Sequence, residues 1–204
     1  MKLKAVLINC SLKKESSDSS TNILISQIQH SLSSHGVESE SVYSRNYNIL
    51  PGVNHDEGEN DEWSNIKEKI DDCDLLVIGT PIWLGQPSSI AKRVLERMNA
   101  YIDDTDEHGR MKTYGKVACV CVVGNEDGAH HVSAELYQAL NDVGFTLPAN
   151  AISYWVGEAM QGKDYKDHRN GYPEKTTNAT SLMVRNAVHL AKLLREKNYQ
   201  GEKG

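Results

Sequence analysis

No stretch of the 204 residues is apolar for long enough to span a bilayer. No cleavage pattern of small residues follows an apolar leader. The chain enters a strand almost at once, so a reducing cytoplasm is the expected setting. Basic charge is not in excess: 22 Lys and Arg against 28 Asp and Glu give a formal charge of −6. That argues against nucleic acid as the main partner, because phosphate contacts need a basic face. The four cysteines, Cys10, Cys73, Cys119 and Cys121, form no CxxC pair. Each lies in or beside an apolar run and reads as a small core hydrophobe, with no metal site expected. Neither the nucleotide-loop pattern G-x-x-x-x-G-K-S/T nor G-x-G-x-x-G occurs, so a dinucleotide held by its pyrophosphate is not the expected resident cofactor. No internal repeat is present.

What remains is an ordinary soluble composition, 39% hydrophobic and 25% charged. The length suits one domain, 1–204, better than two. Leu3–Asn9 and Lys116–Val123 are apolar on both faces, as strands of a buried parallel sheet are. Val37–Tyr43 alternates, as an edge strand does. Apolar stripes predict helices over Thr21–His35, from Asp61 or Ser64 through Asp71, from Ser88 to about Ala100, over Ala129–Val143 and over Thr180–Lys197. Phe145–Trp155 holds a fifth strand. Arg45–Asp61 is too long for a plain connector and is expected to pack over something. Gly157–Thr177 is a polar insert, expected to cover a pocket or meet a second subunit. Strands alternating with helices predict a doubly wound α/β fold with helices on both faces, five parallel strands in the order 2-1-3-4-5.

In that order the switch point falls between strands one and three, where a ligand binds at the carboxyl ends. Asp74–Arg97 reads as strand Leu75–Ile78, a break at Gly79-Thr80-Pro81, then Ile82-Trp83-Leu84-Gly85 and a helix. Trp83 offers a flat face, and Gly85 lets backbone amides approach a ligand. A plainer reading makes Trp83 a core or dimer-contact residue. The first loop is rich in hydroxyls, Ser11, Ser16, Ser17, Ser19, Ser20 and Thr21, and leads into a helix amino terminus that suits an anion. Lys13 or Lys14 adds charge. The plainer reading here is a solvated loop with a helix cap. A third loop, Gly124-Asn125-Glu126-Asp127-Gly128, flanks both. A phosphate seat beside an indole and a polar loop has the shape of flavin mononucleotide (FMN).

These residues resemble the flavodoxin-like NAD(P)H-dependent FMN reductase and quinone reductase family. The resemblance rests on Ser11 with Ser20-Thr21, on Gly79–Gly85 and on Gly124–Gly128, and extends to Pro51-Gly52, Asp61-Glu62-Trp63 and the Trp155–Tyr165 segment. It implies that Ser11, Lys13, Ser19, Ser20 and Thr21 surround the FMN phosphate. It implies that Thr80, Pro81, Ile82, Trp83 and Leu84 line the polyol chain and ring, and that Gly124, Asn125, Glu126, Asp127 and Gly128 border the other side. Lys13 stands where the family often has arginine, without the bidentate fork.

The chemistry expected is hydride from NAD(P)H to bound FMN and on to a quinone, free flavin or similar small acceptor. No catalytic side chain is required, and a homodimer is expected. A flavodoxin-type electron carrier with FMN but no nicotinamide step is the alternative, as is a binding module without cofactor. A phosphoacceptor receiver domain is disfavoured, because Asn9-Cys10-Ser11 and Thr80 stand where acids are needed. His130 and His131 read as surface residues at a helix start.

Overall fold

Strands apolar on both faces need cover on both faces, and the computed structural model, which describes residues 2–159, 162–168 and 170–202, supplies it. In chain order the elements are β1 Lys4–Asn9, α1 Ser20–Ser34, β2 Glu38–Tyr43, α2 Trp63–Asp72, β3 Leu75–Trp83, β4 Gln86–Pro87, α3 Ser89–Met98, β5 Val117–Gly124, α4 Ala129–Asp142, β6 Ile152–Val156 and α5 Glu174–Glu196. Short 3-10 turns lie at Ser16–Asp18, Ser44–Asn46, Asn99–Ile102 and Tyr165–Asp167.

The parallel strands run β2-β1-β3-β5-β6, which is the expected order once the two-residue β4 is set aside as an antiparallel partner of β3. Odd and even positions of each strand feed separate cores. Val6, Ile8, Ala118, Val120 and Val122 meet α2, α3 and α4. Ala5, Leu7, Cys119, Cys121 and Val123 meet α1 and α5. All four cysteines are buried, and burial pushes the thiols of Cys10, Cys73 and Cys119 up to about 12. They are packing residues, and their thiolates are out of reach at neutral pH.

Several boundaries differ from expectation. β3 does not end at Ile78 but continues through Gly79-Thr80-Pro81 to Trp83. Pairing with β1 stops at Asn9 opposite Gly79, so beyond it β3 has a parallel neighbour on one side only. A proline fits where the ladder is one-sided. The fifth parallel strand is only Ile152–Val156. α5 begins at Glu174, six residues before Thr180, which shortens the insert. α1 begins at Ser20, where Ser19 caps it by accepting from the Asn22 amide at 3.1 Å.

The long 45–61 loop does pack over something. Arg97 of α3, fully buried, reaches into it. Its guanidinium donates to both oxygens of Asp61 at 2.9 and 2.6 Å, and to the carbonyls of Leu50 and Asn54. No helix among the described residues is long and apolar enough to cross a membrane.

Candidate active site at the carboxyl ends of β1, β3 and β5

The first loop is built by β1's last residue. Buried Asn9 accepts from the Ser11 amide at 3.0 Å and donates to Asn22 of α1 at 3.1 Å, folding the loop back onto the helix. Ser11 Oγ accepts from the Lys13 amide at 3.2 Å. Tyr43 and Arg45 hold the outside through the carbonyls of Lys13 and Leu12. Ser88 ties the loop to α3: its hydroxyl donates to the Cys10 carbonyl at 2.6 Å and caps α3. With Asn22 capped by Ser19, the amides of Ser20 and Thr21 have no acceptor among the described residues. Two free N–H groups at a helix start are an anion seat.

The second wall is the β3–β4 ribbon. Leu84 (φ 52°) and Gly85 (φ 74°) form the turn, both left-handed, as a two-residue hairpin requires. The turn pushes Trp83 and Leu84 out at the rim, 48% and 91% exposed, while Ile82 is buried. Thr80 lies beneath, fully buried; its hydroxyl accepts from the Ser88 amide and donates to the Pro81 carbonyl. It pins the ribbon and lines nothing.

The third wall is the β5–α4 loop. A Cβ on Gly124 would stand 2.8 Å from Cβ of Ile82, an atom fixed to the backbone. Gly124→Ala should therefore cost about 1–3 kcal/mol by overpacking and displace this wall, a loss readable as a lower urea midpoint. Gly128 (φ 124°) passes close to Gly85, where a Cβ would meet its Cα at 3.2 Å, and its amide is taken by the Asp127 carboxylate. Asn125 Nδ2 donates to Asp164 Oδ1 of the insert.

Between the three walls lies a cavity of about 380 Å³, within the roughly 300–1,000 Å³ of small-molecule sites. Ser11, Lys13, Ser19, Ser20, Thr21, Pro81, Ile82, Trp83, Leu84, Gly124, Asn125 and Glu126 all line it. Thr80, Gly85, Asp127 and Gly128 do not: Thr80 is buried beneath the ribbon, Gly85 is in its turn, and Asp127 and Gly128 line a separate hollow. Leu12, Val123, Trp155 and Asp164 line it without having been singled out as site residues. Nothing in the apolar pattern marks Trp155 or Asp164 as facing this way. Other hollows of similar size exist among the described residues, one of them on the outer side of the third loop at Asp127 and Gly128; the one between the three walls joins a helix start to an indole. Among the described residues no group of three or more His, Cys, Asp or Glu could hold a metal. His131 is engaged with Glu135 at 2.8 Å and Gln86 at 2.9 Å, and His130 packs edge-on against Tyr154.

Known proteins resemble this chain over nearly its whole length. The 8-demethyl-8-aminoriboflavin-5'-phosphate synthase of Streptomyces davaonensis is 35% identical over 208 residues, covering 98% of this chain and 81% of that protein. The crystal structure of RosB with the intermediate 8-demethyl-8-formylriboflavin-5'-phosphate bound superposes with a TM-score of 0.90 at 33% identity, covering 98% of this chain and 83% of that one. A Mycobacterium bovis protein named divalent metal cation transporter MntH is 35% identical over 199 residues; the chain spans only 29% of its length. An archaeal flavodoxin, at 8% identity and a TM-score of 0.59 over 95% of this chain and 99% of that one, shares the flavodoxin-like fold. The sequence profile described as NADPH-dependent FMN reductase matches residues 3–161, a span that carries all three loops around the cavity. The chain belongs to the NADPH-dependent FMN reductase family.

Proposed function

We propose that the cavity holds one FMN and that the protein is an oxidoreductase taking hydride from NAD(P)H and delivering electrons to a quinone, free flavin or similar small acceptor. The observation that carries this reading is one hollow joining the free amides of Ser20 and Thr21 to the indole of Trp83. The residues fit the group. The helix start suits a dianionic phosphate, with Ser11 able to donate its hydroxyl proton and Lys13 adding charge. Pro81, Ile82 and Trp83, beside Gly124–Glu126 on the neighbouring strand, give the cavity an apolar surface on which a planar ring can lie. FMN, when bound, supplies the capacity to accept a hydride and to release electrons.

The chain's own part is to bind, orient and exclude water. Ile82, Val123 and Trp155 keep the inner end dry, since all three are buried or nearly so. The half-exposed rim at Trp83 and Leu84 leaves a side open for a second flat molecule. No side chain needs to move a proton.

Titration of purified protein with FMN, followed by NADPH under anaerobic conditions and then menadione, tests the reading. Quenched flavin fluorescence, bleaching of the visible band by NADPH and its return with menadione are expected. Flavin that binds but is not bleached by NADH or NADPH would overturn the reductase assignment. A second reading has flavin phosphate as the substrate that is itself altered, favoured by 35% identity over nearly the whole chain to a flavin phosphate synthase. The mass of the flavin recovered after turnover separates the two: unchanged for a reductase, changed for a synthase.

A further inference from the structure

Asp164 belongs to none of the three loops and lies beyond the span of the family match, yet it stands in the cavity wall. It opens the 3-10 turn Tyr165–Asp167, a position where aspartate commonly caps with its side chain. Here it makes no cap bond, and Oδ1 instead accepts from Asn125 Nδ2. A carboxylate can only accept, so Asn125 must turn its NH₂ toward it. That choice leaves Asn125 Oδ1 buried with no donor. The pairing thus carries a stability cost and is not explained by packing. Oδ2 of Asp164 takes no hydrogen bond from the described residues, and Asp164 is only partly buried where it lines the cavity.

The segment carrying Asp164 is held on both sides. Tyr165 is fully buried against Trp155, ring centres 5.5 Å apart, and its hydroxyl donates to Gln27 at 2.6 Å. The Lys166 amide donates to Ser20 Oγ at 3.2 Å. Asp164 therefore stands within two residues, at most ~7 Å of chain, of a residue touching the anion seat. On its other side it touches the loop that borders the far end of the cavity. That places an anionic acceptor between the anion seat and the β5–α4 loop.

We infer that Asp164 is a ligand-binding residue whose free oxygen accepts hydrogen bonds from the hydroxyls of the polyol chain between phosphate and ring. The inference rests on the FMN reading above. An anionic acceptor so close to an anion seat repels phosphate and is satisfied only by donors. Of the parts of FMN, the polyol chain is the one rich in donors, and it spans the middle of the molecule.

Asp164→Asn tests this, because the amide can keep its oxygen on Asn125 while turning NH₂ into the cavity, replacing an acceptor with a donor. Flavin fluorescence is titrated with FMN, with riboflavin, which lacks the phosphate, and with lumiflavin, which lacks the polyol chain. Riboflavin should weaken by about 10- to 100-fold, as expected for a charge-assisted hydrogen bond, and FMN by a smaller factor, because the substitution also removes a charge that repels its phosphate. Lumiflavin should bind as before, which also shows that the variant site is folded. A parallel loss for lumiflavin, a loss for FMN alone, or no change would each overturn the inference. Wild-type protein that binds none of the three would instead sink the FMN reading itself, and the inference with it.

Discussion

Ser20→Asp should weaken FMN binding by about 100-fold or more and leave riboflavin binding within about twofold. The reason is charge at the anion seat. Two unit charges about 4 Å apart at an effective dielectric near 20 repel by about 4 kcal/mol, and phosphate carries more than one charge. Screening by salt reduces this, so the effect should grow as ionic strength falls. The substitution suits the helix itself, because an acid in the first turn complements the dipole. A new carboxylate oxygen can also take over acceptance from the Lys166 amide, which Ser20 Oγ provides at 3.2 Å. Isothermal titration with the two flavins at two salt concentrations measures the effect. Equal losses for both would show that the helix start does not hold the phosphate.

The second large effect concerns stability. Arg97→Met should lower the unfolding free energy by about 3–5 kcal/mol, because it strands a buried carboxylate. The Arg97 and Asp61 side chains are 0% and 1% exposed. Arg97 hydrogen bonds, with backbone donors from Glu57, Leu50 and Trp63, hold the Asp61 carboxyl well below its usual 3.8, against the opposing pull of burial. A depressed carboxyl contributes stability that is present above its unfolded pKa and lost as pH falls toward its folded one. The wild type should therefore lose this contribution only below about pH 4. In Arg97→Met the stranded carboxylate gains by taking a proton, so its deficit should shrink between pH 7 and pH 4. Urea unfolding at both values reads the difference. A deficit independent of pH would mean that lost packing against Trp63, rather than charge, sets the cost.

Much of this architecture is legible in the residues. Strands apolar on both faces, an alternating edge strand and helical stripes between them leave few topologies, and the sheet adopts the one expected. The rim was legible for the same reason: loops at Ser11, Trp83 and Gly124 follow neighbouring strands. Other features leave no periodic trace. Gly79-Thr80-Pro81 has the composition of a strand end, and only the one-sided ladder explains its continuation. Arg97 sits on an amphipathic helix and Asp61 in a polar loop, and nothing in their spacing joins them. Asp164 lies in a polar insert, where a charged residue carries no sign of which way it faces.

The outermost strand, β2, bears on how these molecules behave in crowded solution. Its free backbone edge is flanked by exposed Glu38 and Glu40, the latter paired with Lys69 at 2.6 Å. Another chain adding itself along that edge would have to bring its own backbone against two carboxylates. The sheet therefore terminates by charge as well as by length. Replacing both glutamates with valine would turn a guarded border into a template for fibrils.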